Sequence, residues 1–379
     1  MSENPLLQLQ ELGQSPWCDS VSRGLIAGDL GRWIRAGEIT GVTSNPTIFE
    51  KAIDGSDEYD EDLRGLARAG KSASEVFDAL AVQDIRATAD LLRPIYERTG
   101  RGDGYVSLEV SPKIAYDTAA QLEEARRLFK LIGRENAFIK IPGTPQGIPA
   151  FEQAIAEGLN INVTLLFSIE SYEQVARAYM SGLEKRLAAG KPIDHVASVA
   201  SFFVSRVDTA VDAQLEQRIG AGETELSDLL GKAAIANAKL AYESFKKLFA
   251  GPRWQALAAK GATLQRPLWG STSTKNPRYS DVMYVDELIG PYTVNTMPPA
   301  TIEAFRDHGK LGLTLEQDLD GARDAFRRLA EVGIELDAVT RKLQEDGVAA
   351  FGKSFDELIE AIERKRAVVL AGTSGAAVR

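Results

Sequence analysis

The chain has 379 residues, with 44 Lys and Arg against 54 Asp and Glu, one Cys and two His. This length accommodates one large domain or two to three ordinary ones, and a formal net charge of −10 argues against a general binder of nucleic acids or membrane surfaces. The lone Cys18 excludes an intrachain disulfide, and the widely separated His195 and His308 exclude a histidine-rich metal site.

The sequence carries no pattern for export or membrane insertion. Residues 1–5 lack the basic stretch followed by an apolar stretch that is typical of a signal peptide. No apolar run approaches the ~20 residues that a membrane-spanning helix needs. We therefore expect a soluble protein of the cytoplasm.

Short β-rich runs alternate with helical stretches along most of the chain. The predicted strands are 16–20, 39–44, 105–110, 137–141, 161–167, 196–203, 267–271 and 292–296. Apolar residues at helical spacing lie between them, and 225–249 reads as one long helix. Such alternation predicts a parallel sheet with helical crossovers. Eight units favour a closed, eight-stranded β/α (TIM) barrel over an open doubly wound sheet.

Further helices are predicted outside the barrel, near the N-terminus at about 6–12 and over 300–366. No linker rich in Pro, Gly or Ser divides the chain. We therefore expect residues 1–379 to form a single domain, with the barrel over about 15–310 and a C-terminal helical extension over about 311–370.

Several predicted strands carry polar residues, although a strand buried on both faces is normally apolar. In a β/α barrel the carboxyl ends of the strands form the active-site face. The polar residues in or just after these strands are Asp19, Thr43, Asn45, Glu109, Lys140, Asn162, Thr164, Ser201 and Ser271.

Lys140 lies in the most apolar of these contexts, the run AFIKIPG. Alternation places Phe138, Lys140 and Pro142 on one face of the strand. Desolvation of a lysine favours the neutral amine, which is a nucleophile. The alternative is a lysine that extends from the strand end into solvent.

Glu109 and Asp19 also lie in apolar strands, where carboxylates need partners. They either form structural ion pairs, with Lys140 itself as one candidate partner, or they donate and accept protons around a lysine nucleophile. A lysine with carboxylates, without histidine or metal, points to Schiff-base chemistry on a carbonyl substrate.

The remaining polar residues have two interpretations each. Asn45 or Thr47 would cap a helix, and Asn162 and Thr164 share one face of a strand and would form a polar layer inside the barrel. Arg206 and Lys275 follow strands six and seven beside small hydroxyl residues. They are either phosphate ligands or ordinary loop charges.

Several segments, in order over about 16–299, resemble the transaldolases, and in particular the longer bacterial members of that family. Transaldolases are Schiff-base enzymes of the non-oxidative pentose phosphate pathway. The matching segments are GVTSNPTIF at 41–49, VSLEV at 106–110, FIKIP at 138–142, INVTLLFS at 161–168, SFFVSRVD at 201–208 and the run 269–281.

The resemblance implies catalytic roles for four residues. Lys140 matches the lysine that attacks the C2 ketone of fructose 6-phosphate or sedoheptulose 7-phosphate. Glu109 matches an acid/base carboxylate that works through a water held with Thr164. Asp19 matches the base that removes the proton of the C4 hydroxyl. The acceptor of the transferred dihydroxyacetone unit would be erythrose 4-phosphate or glyceraldehyde 3-phosphate.

The resemblance also implies a substrate-binding set: Thr43, Asn45, Asn162, Ser201, Phe203, Arg206, Ser271 and Lys275. Arg206 matches a phosphate-binding arginine. Better-known members carry a second arginine where this sequence has Lys275, and lysine supplies charge without a bidentate fork. The implied reaction needs no cofactor and no metal. The implied partners are sugar phosphates, with no nucleic acid and no membrane, and the expected state is a monomer or homodimer.

Three alternatives to a transaldolase remain at this point. The nearest is an aldolase that releases dihydroxyacetone to water, against which the apolar Phe203 argues because it offers no hydroxyl to activate water. A catalytically inactive sugar-phosphate-binding barrel would not need Lys140, Glu109 and Asp19 together. A metal-dependent aldolase is disfavoured by the two isolated histidines.

Overall fold

Eight parallel strands close into a barrel in the computed structural model, which describes residues 4–374. Each strand pairs with the next one along the chain, and the eighth pairs with the first. The strands are β1 (Gln14–Cys18), β2 (Gly41–Val42), β3 (Val106–Glu109), β4 (Ala137–Pro142), β5 (Ile161–Leu166), β6 (Ser198–Phe203), β7 (Arg266–Gly270) and β8 (Thr293–Met297). The predicted TIM barrel is confirmed.

Helices surround this barrel and continue beyond its last strand. Those before β5 are α1 (Pro5–Glu11), α2 (Arg23–Ala27), α3 (Asp29–Arg35), α4 (Pro46–Asp54), α5 (Asp60–Arg68), α6 (Ala73–Arg98), α7 (Thr118–Ile132) and α8 (Gly147–Glu157). Those after it are α9 (Ile169–Ala188), α10 (Ser205–Gly220), α11 (Ala233–Phe249), α12 (Pro252–Ala258), α13 (Met283–Asp286), α14 (Pro299–His308), α15 (Leu319–Glu331) and α16 (Leu336–Ser374). Two 3₁₀ segments cover Pro112–Ile114 and Thr224–Leu229.

All eight predicted strands are present, but β2 is shorter than the predicted 39–44. The flanking residues bond to β1, with Thr40 N–H donating to Pro16 O and Thr43 N–H to Cys18 O, each at 2.9 Å, and Thr40 O accepts from Gly104 N–H at 3.0 Å on the other side. Gly41 is required here, because a Cβ at this position would lie 2.2 Å from the Trp17 ring.

The prediction of one continuous helix over 225–249 is wrong. A 3₁₀ segment ends at Leu229 and α11 begins at Ala233, and between them Gly231 has a φ of +70°. That backbone conformation favours glycine. The break also brings the Gly231 N–H to Asp212 Oδ1 at 3.0 Å, a contact between distant residues that no local pattern reveals.

An apolar layer fills the barrel interior below the predicted catalytic lysine. Phe138, two residues before Lys140 on the same face of β4, stacks on Tyr105 with centroids 4.3 Å apart and on Trp17 at 6.3 Å. Val199 of β6 and Leu268 of β7 belong to the same buried cluster. Such a layer packs the barrel core, and it leaves the polar side chains above it as the floor of an opening at the carboxyl ends of the strands.

The last helix, α16, runs along the carboxyl ends of the strands. Gln344 donates to Gly143 O at 2.9 Å and to Leu165 O at 3.0 Å, just after β4 and within β5. Farther along, Thr47 donates to Ser354 at 2.8 Å. These bonds fix the helix beside the mouth of the barrel.

Within residues 4–374, the helices all lack the combination of length and apolar character that crossing a bilayer requires. The boundary between barrel and extension stays a prediction.

Candidate active site

A cavity of about 280 Å³ opens at the carboxyl ends of the strands. Nine of the twelve predicted site residues line it: Asp19, Thr43, Asn45, Lys140, Ser201, Phe203, Arg206, Ser271 and Lys275. The other three, Glu109, Asn162 and Thr164, lie on β3 and β5, the strands that flank the lysine strand β4. The predicted site residues therefore lie together, although they come from seven different strands or strand ends.

Lys140 lies inside the barrel and is only 4% exposed. Its Nζ donates to Ser44 O at 3.0 Å and lies 3.2 Å from Glu109 Oε2. The alternative of a lysine that extends into solvent is therefore wrong. An amine held by one carbonyl and one carboxylate at the floor of a cavity is placed to meet an electrophile that enters from above.

Glu109 faces Lys140 because the two residues are partners in the β3–β4 register. Burial raises the pKa of Glu109 above its usual range, and attraction to Lys140 opposes that rise. A raised pKa lets the carboxyl hold a proton closer to neutral pH. This suits a group that must both donate and accept protons during the reaction.

Asp19 follows β1 and has a hydroxyl as its partner instead of a cation. Thr43 Oγ1 donates to Asp19 Oδ1 at 2.7 Å and also lies 2.7 Å from Thr296 Oγ1. Burial raises the pKa of Asp19, while the charge of Lys140 and the hydrogen bond from Thr43 lower it. The two carboxyl groups thus have different surroundings, as a division of proton-transfer roles requires.

A chain of hydrogen bonds crosses the barrel interior next to the lysine. Ser201 Oγ donates to Asn162 Oδ1 at 2.7 Å, and Asn162 Nδ2 donates to Ser107 Oγ at 3.1 Å. Asn162 is the register partner of Lys140 across β4 and β5. The predicted polar layer is therefore present, and it holds the Asn162 amide in a fixed orientation.

Thr164 is buried, and its hydroxyl has no hydrogen-bond partner among residues 4–374. It stands opposite Pro142, two positions beyond the Lys140–Asn162 pair. A buried hydroxyl without a protein partner is the kind of group that holds an internal water. This position fits the water that the resemblance places between Thr164 and Glu109.

Two residues at the mouth of the barrel have left-handed backbone conformations. Leu165 has a φ of +59° where the β5–β6 register shifts, and Ser271 has a φ of +54° directly after β7. Neither is a glycine, so each conformation is strained and must be held by its neighbours. Leu165 O accepts from Gln344, and Ser271 O accepts from Ser205 N–H at 3.1 Å.

The rim of the cavity carries three cations: Lys51, Arg206 and Lys275. Arg206 has no side-chain hydrogen bond or ion pair with any residue in 4–374, and its Cζ lies over the Phe203 ring at 5.3 Å. Lys275 is exposed and donates to Ser273 Oγ. Desolvation lowers the pKa of both Arg206 and Lys275, and repulsion from Arg206 lowers that of Lys275 further. An anion bound here would offset both the desolvation of the two cations and the repulsion between them.

Nine lining residues were not among the predicted site residues, and they include Thr47, Lys51, Thr296 and Phe351. Thr47 was considered only as a cap, although the cap is Asn45, whose Oδ1 accepts from Ile48 N–H at 3.0 Å. Phe351 comes from α16, more than 140 residues after the segment that carries Arg206.

Within residues 4–374, no three or more His, Cys, Asp or Glu side chains are grouped so that they could hold a metal ion.

The fold and the site define a class: a β/α barrel with a buried lysine, two carboxyl groups at the strand ends and a cationic rim belongs with the aldolases that work through a Schiff base. A family model described as Transaldolase/Fructose-6-phosphate aldolase matches residues 16–362. This chain belongs to that family.

Three named relatives are similar over nearly the whole chain. "Transaldolase 2" of Nostoc punctiforme is 50% identical over 374 residues, covering 96% of this chain and 98% of the relative. "Transaldolase" of Trichodesmium erythraeum is 48% identical over 373 residues, with the same coverage. "Transaldolase" of Thermobifida fusca is 46% identical over 366 residues, covering 96% of this chain and 99% of the relative.

Proposed function

We propose that this chain is a transaldolase that works through an imine on Lys140. It would move a dihydroxyacetone unit from sedoheptulose 7-phosphate or fructose 6-phosphate to glyceraldehyde 3-phosphate or erythrose 4-phosphate, in the non-oxidative pentose phosphate pathway. The family and the names of its relatives support the activity. The observation that carries the mechanism is the position of Lys140 Nζ, buried at the floor of the cavity and 3.2 Å from Glu109.

Imine formation uses Lys140 and Glu109. The amine adds to the C2 carbonyl, and the carbinolamine then loses its hydroxyl as water. Through a water held by Thr164, the protonated Glu109 gives a proton to the alkoxide, recovers one from the attacking nitrogen and gives it to the departing hydroxyl, so that Glu109 ends as a carboxylate and the imine keeps its proton. The raised pKa of Glu109 supports this two-way role.

Carbon–carbon cleavage uses Asp19. Its carboxylate takes the proton of the C4 hydroxyl, C4 becomes the carbonyl of the departing aldose phosphate, and the C3–C4 electron pair moves into the protonated imine. The three-carbon enamine stays on Lys140. It adds to the acceptor aldehyde by the reverse of these steps, and hydrolysis of the new imine regenerates the amine.

The remaining predicted residues would hold the substrate. Ser201 and Asn162 form one hydrogen-bonded pair beside the lysine, Thr43 bonds to Asp19, and Asn45 lines the same cavity. Arg206, with its N–H groups unpaired among the described residues, would bind the phosphate. Ser271 and Lys275 complete the rim, Lys275 as a point charge instead of a bidentate ligand.

Transfer and simple aldol cleavage are distinguished by an assay with and without an acceptor. Incubated with fructose 6-phosphate and erythrose 4-phosphate, the protein should form sedoheptulose 7-phosphate and glyceraldehyde 3-phosphate. With fructose 6-phosphate alone it should release little free dihydroxyacetone, because the ring of Phe203 lines the cavity and offers no group to activate water. Rapid accumulation of free dihydroxyacetone without an acceptor would instead identify an aldolase.

The assembly and location are part of the same proposal. By family analogy we expect a monomer or homodimer that acts in the cytoplasm without nucleic-acid or membrane partners. The net charge of −10 supports the absence of a nucleic-acid surface. Light scattering of the purified protein at micromolar concentration tests the oligomeric state.

A further inference from the structure

The last helix contributes an aromatic ring to the cationic rim. Phe351 of α16 lines the cavity and is 4% exposed. The Arg206 Cζ lies over its ring, 5.8 Å from the centroid, as it lies over the Phe203 ring at 5.3 Å. Arg206 therefore contacts one ring from the barrel and one from the C-terminal helix, and it forms no ion pair with a carboxylate among the described residues.

This environment suits a guanidinium that must bind an anion. Contacts with aromatic rings engage the face of the guanidinium, whereas its five N–H donors point outward in its plane. A carboxylate partner would occupy those donors and cancel the charge. Aromatic neighbours hold the group in position and leave both the charge and the donors available to a phosphate.

Contacts on both sides of Phe351 fix α16 beside Arg206. One turn earlier, Gly347 lies so close to β5 that a Cβ would be 2.9 Å from Leu165 Cδ2 and 3.7 Å from Arg206 Nη1. Gln344 bonds to Leu165 O on one side of Phe351, and Ser354 bonds to Thr47 on the other. Phe351 thus lies between two hydrogen-bonded anchors, at the point where the helix meets Arg206.

We propose that Phe351 is a positioning residue that holds the Arg206 guanidinium in the orientation that binds the substrate phosphate. This inference rests on the proposed function, since it assigns Arg206 to the phosphate. It predicts that Phe351 affects recognition of phosphorylated substrates and leaves the chemistry at Lys140 unchanged.

The test compares two ligands that form an imine on Lys140, of which only one carries a phosphate. Borohydride trapping is measured as a function of the concentration of fructose 6-phosphate and, separately, of dihydroxyacetone. Phe351→Leu removes the ring and keeps an apolar side chain, whereas Phe351→Tyr keeps a ring. Phe355→Leu is the matched control, because Phe355 lies one turn farther on α16 and packs on Phe77 with centroids 5.7 Å apart.

For Phe351→Leu we expect the half-saturating concentration of fructose 6-phosphate to rise about three- to tenfold, with that of dihydroxyacetone unchanged. Phe351→Tyr and Phe355→Leu should resemble the unaltered protein with both ligands. Equal weakening for both ligands, no weakening for either, or the same selective effect in Phe355→Leu would overturn the proposal. Failure of the proposed function looks different, since the unaltered protein would then trap neither ligand on Lys140.

Discussion

At the scale of single residues, the site depends on two carboxyl groups with different partners. Glu109 pairs with Lys140 at 3.2 Å, and Asp19 accepts a hydrogen bond from Thr43 at 2.7 Å. Burial raises the pKa of each. Their partners decide their roles, because Glu109 adjoins the nitrogen where the imine forms, whereas Asp19 is free to act on a substrate hydroxyl.

We predict that Asp19→Asn separates imine formation from carbon–carbon cleavage. The amide can still accept from Thr43 but cannot remove the C4 hydroxyl proton, so turnover should fall about 10²–10⁴-fold. Borohydride added with fructose 6-phosphate should then trap the intact ketose phosphate on the protein, as measured by intact mass. A three-carbon adduct formed at the parent rate would show that Asp19 is not the base.

A second residue-scale prediction concerns the exclusion of water. Phe203→Tyr would place a hydroxyl in the cavity, where it can orient a water toward the imine. We expect free dihydroxyacetone from fructose 6-phosphate without an acceptor to increase at least severalfold, measured by chromatography. Phe167→Tyr is the control, since the Phe167 ring lies 5.3 Å from Phe203 but does not line the cavity. An equal increase in both variants would refute the explanation.

At the scale of elements, the sequence was sufficient to predict the site residues on the strands, but it was insufficient to predict the one on the last helix. A polar residue in an apolar strand is a local signal, and it located Lys140, Glu109 and Asp19 because parallel strands bring their carboxyl ends to one face. Phe351 is a large apolar residue in an amphipathic helix, which by itself indicates only core packing. Its place depends on contacts between α16 and the ends of β4 and β5, which lie about 180 to 200 residues away.

The close contact of α16 with β5 leads to a prediction about two glycines of the same helix. Gly352→Ala should stabilise the protein by up to about 1 kcal/mol through helix propensity, because a Cβ there meets nothing within 4 Å. Gly347→Ala should not increase the stability in this way, because its Cβ would clash with the buried Leu165 side chain. Urea unfolding measures the difference, and Gly347→Ala should also weaken fructose 6-phosphate binding. Equal stabilisation by both substitutions would refute the close contact.

At the scale of the whole molecule, an acidic protein contains a cationic cavity. The net charge of −10 excludes an extended surface for polyanions but says nothing about Lys51, Arg206 and Lys275 at one rim. Net charge is a sum over the surface, whereas phosphate binding depends on a few local charges. The sequence predicted two of these three residues, and it could not establish how they lie relative to one another.

Stability should depend on pH through a buried group outside the site. Asp208 of α10 accepts from Ala234 N–H at 2.7 Å and Tyr284 Oη at 2.8 Å, and burial raises its pKa to about 7. The folded state then retains a proton that the unfolded state releases near pH 4. The free energy of unfolding should therefore fall between about pH 4 and 7, by at most about 1.4 kcal/mol per unit.

The control for this effect is Asp208→Asn, which keeps an oxygen acceptor and cannot titrate. Urea unfolding at several values between pH 4.5 and 8 should show a smaller decline in this variant than in the unaltered chain. Parallel curves for the two proteins would mean that Asp208 does not bind the proton.

The central claim, that Lys140 forms an imine with a ketose phosphate, is tested most directly by reduction and peptide mapping. Borohydride added with fructose 6-phosphate should inactivate the protein and leave one three-carbon adduct, located by fragmentation on Lys140. Lys140→Arg, which keeps the positive charge, should give no adduct and no transfer. An adduct on another lysine, or undiminished transfer in Lys140→Arg, would contradict the account.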